Sequence, residues 1–593
     1  MEELEYPFDP KEIIAKRKKY RRILLENKEV RIRKKIAILG GFTTSDIKYM
    51  LELFLLNYGI EPYFYESEYN RYYEDALFGN EQLNEFEPDV IYICTSSRNI
   101  SVYPGMGDTP EHVQELLAAQ MDKYETIWDN LGKKYWCPVI QNNFEMPFYR
   151  LLGNKDASDI HGKTNYITRL NLLFYEYAQK HDNFYICDIN YLSADYGLKE
   201  WADPFYWYMY KYALNVNAIP YLSFNVANII KSLFGKNKKG LVLDLDQTLW
   251  GGVIGDDGVH NLRLGPEEPE GQAYAEFQRY VKEHMQLGIL LNINSKNEYV
   301  NALNGLRHPD SELSEQDFIS IKANWNPKDR NFKEIADELN LLPESLLFVD
   351  DNPAERHLVT KQQPGVSAPD IGEVTQYIIR IDRGGYFETT VTSEDDSNRI
   401  AMYRENAARV RQRQAFSDYG EYLDSLEMTA VIRPFEPIYF ARIAQLTNKS
   451  NQFNLTTRRY TQMQIEAVAS DPSYVALYGK LSDKFGDNGV VSVVIGRMEG
   501  QIVYIDLWIM SCRVLKREME FAMMDVFVEK CMDRHAVEIV GFYYPTEKNG
   551  MVRDFYEQQG FEKESEDEMG NAKWRLKLGE QPVIRNRYIK VEG

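Results

Sequence analysis

Short apolar runs alternate with stretches of helical periodicity through the first part of the 593-residue chain. The runs have the length and branching of buried strands, and they are Ile36–Leu39, Pro62–Tyr65, Asp89–Cys94, Pro138–Asn142 and Phe184–Ile189. Helical stretches such as His112–Asn130 and Thr168–Lys180 separate them. The alternation predicts a three-layer α/β domain over residues 35–236, preceded by a basic helical segment over 1–34.

Three apolar runs in the middle of the chain each end in polar residues. They are Leu241–Leu245, Ile289–Ser295 and Leu346–Asp351. Lys328 opens a helix-like segment, Asp329–Asn340, between the second run and the third. Because the carboxyl ends of parallel strands meet at one edge of a sheet, this order predicts a second parallel-sheet domain over 237–383 with its polar groups around one ligand.

The rest of the chain predicts a linker and a third, mixed α/β domain. Residues 384–426 hold the linker Gly384–Asn398 and a helix, Arg399–Phe416, whose arginines 404, 409, 411 and 413 are expected on a solvated face. Residues 427–593 form the third domain. Its predicted elements are Met428–Ile432, Tyr439–Thr447, Val490–Ile495, Ile502–Ile509, Glu518–Met532, Val537–Phe542 and Val552–Gln559.

Composition places the protein among ordinary soluble globular chains, with 44% hydrophobic and 27% charged residues. A net charge of -21 disfavours nucleic acid and anionic membranes as partners. No run is long enough for a membrane span, and the N-terminus lacks the features of a signal peptide. The five cysteines have no C-x-x-C spacing, so a reducing, cytoplasmic location is expected. The basic stretch Lys16–Arg22 is either a docking surface for an acidic partner or a solvated helix face.

Asp244 and Asp246 lie two residues apart, so an extended backbone points both side chains the same way. An unpaired carboxylate in an apolar strand is costly, although D-x-D alone also occurs on edge strands that face water. The groups that follow are, in order, Thr248, Ser295, Lys328, Asp350, Asp351 and Glu355. This order resembles the haloacid dehalogenase (HAD) superfamily, with D-x-D-x-T, a Ser or Thr, a Lys and D-D-x-x-x-E.

The resemblance implies a Mg²⁺-dependent phosphoryl hydrolase. Asp244 would attack phosphorus and form an aspartyl phosphate, and Asp246 would protonate the leaving oxygen and then activate water. Mg²⁺ would be held by Asp244, Asp351 and the main-chain carbonyl of Asp246. The phosphate-binding candidates are Ser295, Lys328 and Thr248, and those of uncertain role are Asp350, Glu355, Asn297 and Arg513. Asp350 and Glu355 could each orient Lys328 or a metal-bound water.

The stretch between Ser295 and Lys328 is too short for a large cap domain. A glycine-rich flap, Gly251–Gly258, resembles the small hairpin of the capless HAD subclass IIIC, and it could equally be an ordinary hairpin turn. An uncovered site admits a bulky substrate or lets a neighbouring domain act as the lid.

The opening of the first domain, Leu39–Asp46, resembles the SGNH-hydrolase-like domain found at the head of FkbH-type proteins. A working hydrolase of that class needs a Ser or Thr near residues 43–45 and a downstream acid and His pair. The candidate region Lys199–Pro204 has no His, and His112, His161 and His181 are not in a suitable motif. We therefore expect this domain to bind or position ligands without triad chemistry.

The third domain resembles the GNAT acyltransferase fold, with Phe555–Phe561 near its end, and Ile509–Arg517 matches the M-S-C-R-V-L region of FkbH-like proteins. Lys516 and Glu518 stand where an acyl-CoA loop has glycines, which argues against acyl-CoA and leaves a carrier-bound pantetheine open. Cys512 precedes Arg513, a cationic setting that favours the thiolate, and a buried structural cysteine is the equally weighted alternative.

The domain order as a whole resembles the FkbH family. That resemblance implies capture of glycerate from a bisphosphorylated three-carbon acid on Cys512, loss of phosphate through Asp244 and Asp246, and transfer to an acyl carrier protein. A plain Mg²⁺ phosphatase for a sugar phosphate or another biosynthetic intermediate, for example in surface polysaccharide assembly, is the alternative. A carrier-docking scaffold without turnover ranks last, because every expected HAD group is present.

Overall fold

The computed structural model describes residues 1–27, 31–391, 394–413, 416–450, 452–546, 548–579, 581 and 583–592. The chain divides into two compact units, Met1–Leu233 and Phe234–Gly593. The predicted second and third domains therefore belong to one unit. The division falls close to the predicted boundary at 236.

The first unit is built on a parallel sheet with strand order β2-β1-β3-β4-β5. Its strands are β1 Ile32–Gly40, β2 Ile60–Glu66, β3 Val90–Cys94, β4 Val139–Asn142 and β5 Phe184–Cys187. Its helices are Pro10–Glu26, Ser45–Asn57, Tyr72–Phe78, Glu81–Phe86, Pro110–Tyr135, Lys163–Lys180, Ile189–Tyr196, Leu198–Trp201, Pro204–Tyr210 and Ile219–Leu233. Every residue of β3 is buried, as expected for a strand covered by helices on both faces. The predicted α/β fold is confirmed here.

The basic N-terminal helix Pro10–Glu26 is packed on its unit. The side chain of Asp9 caps its first turn, and Ile13, Tyr20 and Leu24 are buried. Arg17 also pairs with Asp46 at 2.8 Å. The opposite face, which includes Lys16, Lys18, Lys19 and Arg22, is exposed. Docking of an acidic partner on that face stays a prediction.

The second unit begins with the predicted parallel sheet, in the order β8-β7-β6-β9. Its strands are β6 Gly240–Leu243, β7 Leu290–Ser295, β8 Phe318–Ala323 and β9 Leu346–Val349. Its helices are Ile254–Asp257, Pro269–His284, Tyr299–Leu306, Lys328–Glu338, Pro353–Gln362 and Tyr377–Arg383. Residues 296–327 are all described and are taken up by a helix, by β8 and by their connections, so no cap domain is inserted there.

The glycine-rich flap is not a hairpin. Gly251 pairs with Arg263, which closes a loop that contains the helical turn Ile254–Asp257. The Asp257 carboxylate accepts a hydrogen bond from the Val253 amide at 2.8 Å, which joins the two ends of that turn. In place of the predicted hairpin, the flap is therefore a loop that contains a helical turn.

The helix after the predicted linker spans Glu394–Arg413, and residues 392–393 lie outside the described part. Ile400 and Tyr403 are buried in the core under the second sheet. Arg409 is 1% exposed and bonds Asp483 of the third sheet at 2.7 Å, so the predicted solvated face is wrong at this position. Arg404 is exposed and Arg413 half-buried, while the side chain of Arg411 lies outside the description. The helix thus links the two sheets of its unit.

The third sheet is mixed, in the order β16-β17-β15-β14-β13-β12-β10-β18, with β11 paired to β14. Its strands are β10 Met428–Pro434, β11 Phe453–Asn454, β12 Tyr474–Asp483, β13 Gly486–Glu499, β14 Ile502–Met510, β15 Glu538–Tyr543, β16 Glu562–Glu566, β17 Ala572–Lys577 and β18 Ile589–Glu592. The helices are Tyr419–Ser425, Phe440–Lys449, Gln462–Ser470, Met519–Asp533 and Phe555–Gln558. The sequence did not predict β16, because all five of its residues are exposed and give no apolar alternation.

Within the part of the chain that the structure describes, no helix combines the length and the apolar character needed to cross a membrane.

Candidate active site

Four strand ends of the second sheet deliver the candidate residues to one edge. Asp244 follows β6, and its amide donates a hydrogen bond to the Val349 carbonyl of β9 at 2.9 Å. This pairing places Asp244 beside Asp350 and Asp351, which follow β9. Ser295 ends β7 and is 2% exposed. Lys328 begins the helix that comes after β8.

Lys328 is buried between two carboxylates. Its ammonium nitrogen lies 2.9 Å from Asp244 Oδ2 and 2.6 Å from Asp350 Oδ2. Burial opposes the charged form, but the charges of Asp244 and Asp350 outweigh it and raise the pKa of Lys328. Lys328 therefore stays protonated, with its charge directed at Asp244.

Asp244, Asp350 and Asp351 each offer an oxygen, and these oxygens lie within 4.8 Å of one another. Lys328 contacts two of these carboxylates, and the third lies beside them, so the cluster holds more acidic groups than the one ammonium pairs with, a setting that a divalent cation would stabilise. Asp244 Oδ1 is buried and has no hydrogen-bond partner among the residues that the structure describes. Burial, followed by the charge of Asp244, raises the pKa of both Asp350 and Asp351. An all-oxygen donor set with a partnerless buried oxygen fits Mg²⁺.

Asp350 is one of the three clustered carboxylates, and of the two acids that could orient Lys328 it is the one that contacts the ammonium. The sequence left Asp350 and Glu355 as equal candidates, whereas Glu355 instead pairs with Lys296 at 2.5 Å. Within the described part of the chain, Glu355 Oε2 is buried without a hydrogen-bond partner. Arg356, which the sequence did not single out, donates to the main-chain carbonyls of Asp350 and Asp351 at 2.8 and 2.7 Å.

The Asp246 side chain accepts hydrogen bonds from three donors. Trp250 Nε1 and the Ile254 amide donate to its Oδ1 at 2.8 and 3.1 Å, and Asn297 donates to its Oδ2 at 2.8 Å. Burial raises the pKa of Asp246, and the charge of Asp244 adds to this, while the hydrogen bonds oppose it. Asn297, whose role the sequence left uncertain, is thus a hydrogen-bond donor to Asp246. The predicted metal contact through the Asp246 carbonyl stays a prediction.

Thr248 and Asn294 form hydrogen bonds with main-chain groups of the site residues. Thr248 is buried, and its hydroxyl accepts a hydrogen bond from the Asp351 amide at 3.3 Å. Asn294 donates to the Lys328 carbonyl at 2.8 Å and fixes the start of its helix. The sequence analysis did not name Asn294. A polar amide inside the apolar run that forms β7 is the signal that could have identified it. The phosphate-binding roles of Ser295, Lys328 and Thr248 stay predictions.

Cys512 lies elsewhere in the same unit. It follows β14, is half-buried, and its sulfur is 3.8 Å from the Tyr403 hydroxyl. Arg513 is buried and donates to the Ser511 hydroxyl at 3.2 Å. Cys512 lines a cavity together with Lys239 and Ser345, which precede β6 and β9. The thiol is therefore at the amino edge of the second sheet, opposite the carboxylates.

Lys516 and Glu518 have φ values of 66° and 61°, a region that favours glycine. These are the positions at which the sequence comparison with an acyl-CoA loop expects glycine. The loop thus keeps a glycine-like backbone but carries side chains. The expectation that acyl-CoA is disfavoured there stays a prediction.

The hydroxyls near the start of the first unit are already engaged. Thr43 donates to the Tyr210 carbonyl at 2.8 Å, and Thr44 donates to Glu66 at 2.8 Å. The His161 ring bonds Asp159 at 2.7 Å and the Asp108 carbonyl at 2.9 Å. The absence of triad chemistry in this unit stays a prediction.

Comparison with known proteins relates the first unit to a protein family. Residues 35–231 match the family model described as "FkbH, N-terminal domain". This part of the chain is FkbH-like. The resemblance expected from the sequence is thereby confirmed, and among curated proteins none matches this FkbH-like chain.

A solved structure from Bacteroides fragilis, the N-terminal part of the protein BF1531 containing a phosphatase domain complexed with Mg, is 28% identical to the FkbH-like chain. The match covers 63% of this chain and 99% of that one, with a TM-score of 0.59. Ard1 from Thermoplasma volcanium matches at 19% identity over 26% of this chain and 99% of its own, with a TM-score of 0.21. The GNAT family acetyltransferase from Streptococcus pneumoniae is 13% identical over 25% of this chain and 99% of its own, with a TM-score of 0.22.

Proposed function

We propose that the FkbH-like chain is a HAD-type, Mg²⁺-dependent hydrolase of phosphate monoesters. The observation that carries this is the convergence of Asp244, Asp350 and Asp351 around Lys328, with one Asp244 oxygen left partnerless. The likeness to a chain whose phosphatase domain is complexed with Mg supports it. Asp244, Asp350 and Asp351 would hold the cation.

Asp244 would attack phosphorus and expel the alcohol oxygen, giving an aspartyl phosphate. Asp246 would give its proton to that oxygen and then take one from the attacking water. Lys328 and Ser295 would hold the phosphoryl oxygens. When bound, Mg²⁺ supplies charge neutralisation and orients the phosphoryl group.

For the substrate, we propose a phosphorylated three-carbon acid that is captured on Cys512. The thiolate sulfur would form a C–S bond to the carbonyl carbon of an acyl phosphate while the bond from that carbon to the phosphate oxygen breaks. The phosphate leaves with the electron pair, and the thiol proton passes to it through solvent. A second thiol, on the pantetheine arm of an acyl carrier protein, would take the acyl group and return the proton to Cys512. The carboxylate centre would hydrolyse the phosphate monoester that the acyl group still carries, which leaves a glyceryl group and inorganic phosphate.

The phosphatase proposal is tested by hydrolysis of a phosphate monoester with and without Mg²⁺. Asp244→Asn should lower kcat by about a thousandfold or more, because it removes the nucleophile. Asp256→Asn, on the exposed part of the flap, is the matched control and should keep full activity. Unchanged hydrolysis by Asp244→Asn would sink the proposal.

The capture proposal is tested by intact mass after incubation with 1,3-bisphosphoglycerate generated in situ. The wild type and a Cys137→Ala control should gain a thioester adduct, and Cys512→Ala should not. Cys137 is a suitable control because it is half-buried like Cys512 but lies in the first unit.

A plain phosphatase for a sugar phosphate is the second candidate, and the position of Cys512 at the opposite edge of the sheet favours it. It predicts release of phosphate without an adduct, and full activity in Cys512→Ala.

A further inference from the structure

Exposed apolar side chains gather at the edge of the second sheet where the carboxylate centre lies. Over residues 237–383, all of which the structure describes, the exposed large apolar side chains are Val253, Leu287, Tyr299, Val300, Trp325 and Ile379. Four of these six follow the carboxyl ends of strands: Val253 comes after β6, Tyr299 and Val300 after β7, and Trp325 after β8. Apolar residues that gather at one place on the surface of a soluble protein mark a contact site.

Trp325 is 69% exposed, and its loop is nevertheless fixed. The Asn324 amide donates to the Ser295 carbonyl at the end of β7, at 3.1 Å. Asn331 is fully buried in the helix Lys328–Glu338, and its side chain donates to Asn324 Oδ1 at 3.0 Å. The exposed ring therefore projects from a backbone that is tied to both the strand and the helix of the site.

Glu298 fixes the orientation of the Trp325 indole. The indole nitrogen donates to Glu298 Oε1 at 2.8 Å. Because the polar group of the ring is satisfied by the protein, the part of the ring that is left for a ligand is its flat apolar face. A ring that is already held in one orientation also loses little freedom when a ligand binds.

The sequence positions place this ring beside the proposed phosphoryl site. Trp325 comes three residues before Lys328, and Glu298 comes three residues after Ser295. Three residues of chain span at most about 10 Å, so the ring lies within reach of a substrate whose phosphoryl group is held by Lys328 and Ser295. The part of the substrate that projects out of the phosphoryl site is its leaving group.

We infer that Trp325 is the platform on which a flat ring of the leaving group stacks. The inference rests on the proposed phosphatase and gives its substrate class, a phosphate monoester whose leaving group carries a sugar ring or an aromatic ring. Both kinds of ring present a flat face that packs on indole. Glu298 is a positioning residue, because it acts through the indole.

Three esters that each join phosphate through a CH₂ group test this: glycerol 3-phosphate, glucose 6-phosphate and benzyl phosphate. In Trp325→Ala, the kcat/KM of a ring ester divided by that of glycerol 3-phosphate should fall about three- to tenfold, the contribution of a stacked pair. Trp136→Ala is the control, since Trp136 is 42% exposed and its indole bonds the Lys133 carbonyl in the first unit. It should leave both ratios unchanged.

The two ratios also distinguish the kinds of ring. A larger fall for glucose 6-phosphate would assign the platform to a sugar, and a larger fall for benzyl phosphate would assign it to an aromatic ring. Glu298→Gln retains an oxygen acceptor for the indole and should keep the ratios, whereas Glu298→Ala should lower them.

Binding without turnover separates this inference from the phosphatase proposal. Calorimetry with Mg²⁺ compares benzylphosphonate with propylphosphonate, whose C–P bonds are not hydrolysed. The wild type should bind benzylphosphonate about three- to tenfold more tightly, and Trp325→Ala should bind both equally. Equal binding by the wild type, together with unchanged ratios in Trp325→Ala, would overturn the inference alone. A wild type that hydrolyses no monoester but keeps the preference would refute only the phosphatase proposal.

Discussion

At the scale of single residues, the ammonium of Lys328 offsets the negative charge of Asp244 and Asp350. Its side chain is 4% exposed and lies within 2.9 Å of Asp244 and 2.6 Å of Asp350. Because Asp350 also receives the Asn352 amide at 2.9 Å, the three groups form a fixed array before any ligand arrives. Such an array costs little reorganisation when a phosphoryl group binds.

Lys328→Ala should therefore be destabilising as well as inactive. Without the ammonium, Asp244 and Asp350 are left as uncompensated buried charges, which costs about 3–5 kcal/mol of unfolding free energy. Mg²⁺ should restore part of this loss. Urea unfolding with and without Mg²⁺ checks it, and Lys333→Ala, exposed on the same helix, should unfold like the wild type. Equal stability of the two variants would contradict the electrostatic role.

Asn297 should position Asp246 for proton transfer. Its amide donates to Asp246 Oδ2 at 2.8 Å, so Asn297→Ala removes a hydrogen bond to a carboxylate worth about 1.5–3 kcal/mol. If that bond acts in the transition state, kcat should fall by roughly ten- to a hundredfold with little change in KM or in Mg²⁺ affinity. Steady-state kinetics at several Mg²⁺ concentrations measures this. Asn304→Ala, exposed on the next helix, is the control.

The helix Glu394–Arg413 shows how one element joins two sheets. It places Ile400 and Tyr403 in the core under the second sheet and Arg409 against Asp483 of β12. Arg517 bonds the same carboxylate at 3.0 Å. Burial, and then repulsion from Arg409, lower the pKa of Arg517 to about 10, so two guanidinium groups share one buried acid.

Loss of Asp483 should therefore cost more stability than loss of either arginine. Asp483→Leu removes the buried acid that both arginines share and leaves Arg409 only Glu405 at 3.4 Å, a cost of about 3–5 kcal/mol. Arg409→Met leaves one balanced pair between Asp483 and Arg517, so it should cost less. Guanidinium unfolding curves for the two variants measure the order. The reverse order would show that the arginines contribute through packing instead of charge.

At the scale of the whole molecule, each unit has a core of its own. The core of the first unit includes Leu39, Ile91 and Phe174, and that of the parallel sheet in the second unit includes Leu243, Ile293 and Val349. The carboxylate centre and Cys512 both belong to the second unit.

Mg²⁺ should therefore stabilise the second unit and leave the first unchanged. At about a hundred times its dissociation constant, a bound cation adds about 2.7 kcal/mol to unfolding. Calorimetry of the full chain should show one transition that moves with Mg²⁺ and one that does not. Asp351→Asn removes one of the clustered carboxylates and should abolish the shift. A shift of both transitions, or of neither, would contradict the assignment.

The sequence by itself determined the parallel sheets and the chemistry at their carboxyl edge. Buried strands of a parallel sheet are continuous apolar runs, so Leu241–Leu245 and Leu346–Asp351 stood out, and the polar residues that end them had to meet. It also supplied the resemblance to FkbH proteins, which the family match over residues 35–231 confirms.

The tertiary structure decided what depends on contacts between distant residues. It placed Lys328 between Asp244 and Asp350, directed Arg356 at the main-chain carbonyls of Asp350 and Asp351, and buried Arg409 against Asp483. It also placed Cys512 at the opposite edge from Asp244. Periodicity reports which face of an element is buried, but not which partner from elsewhere in the chain covers it, so these assignments required the fold.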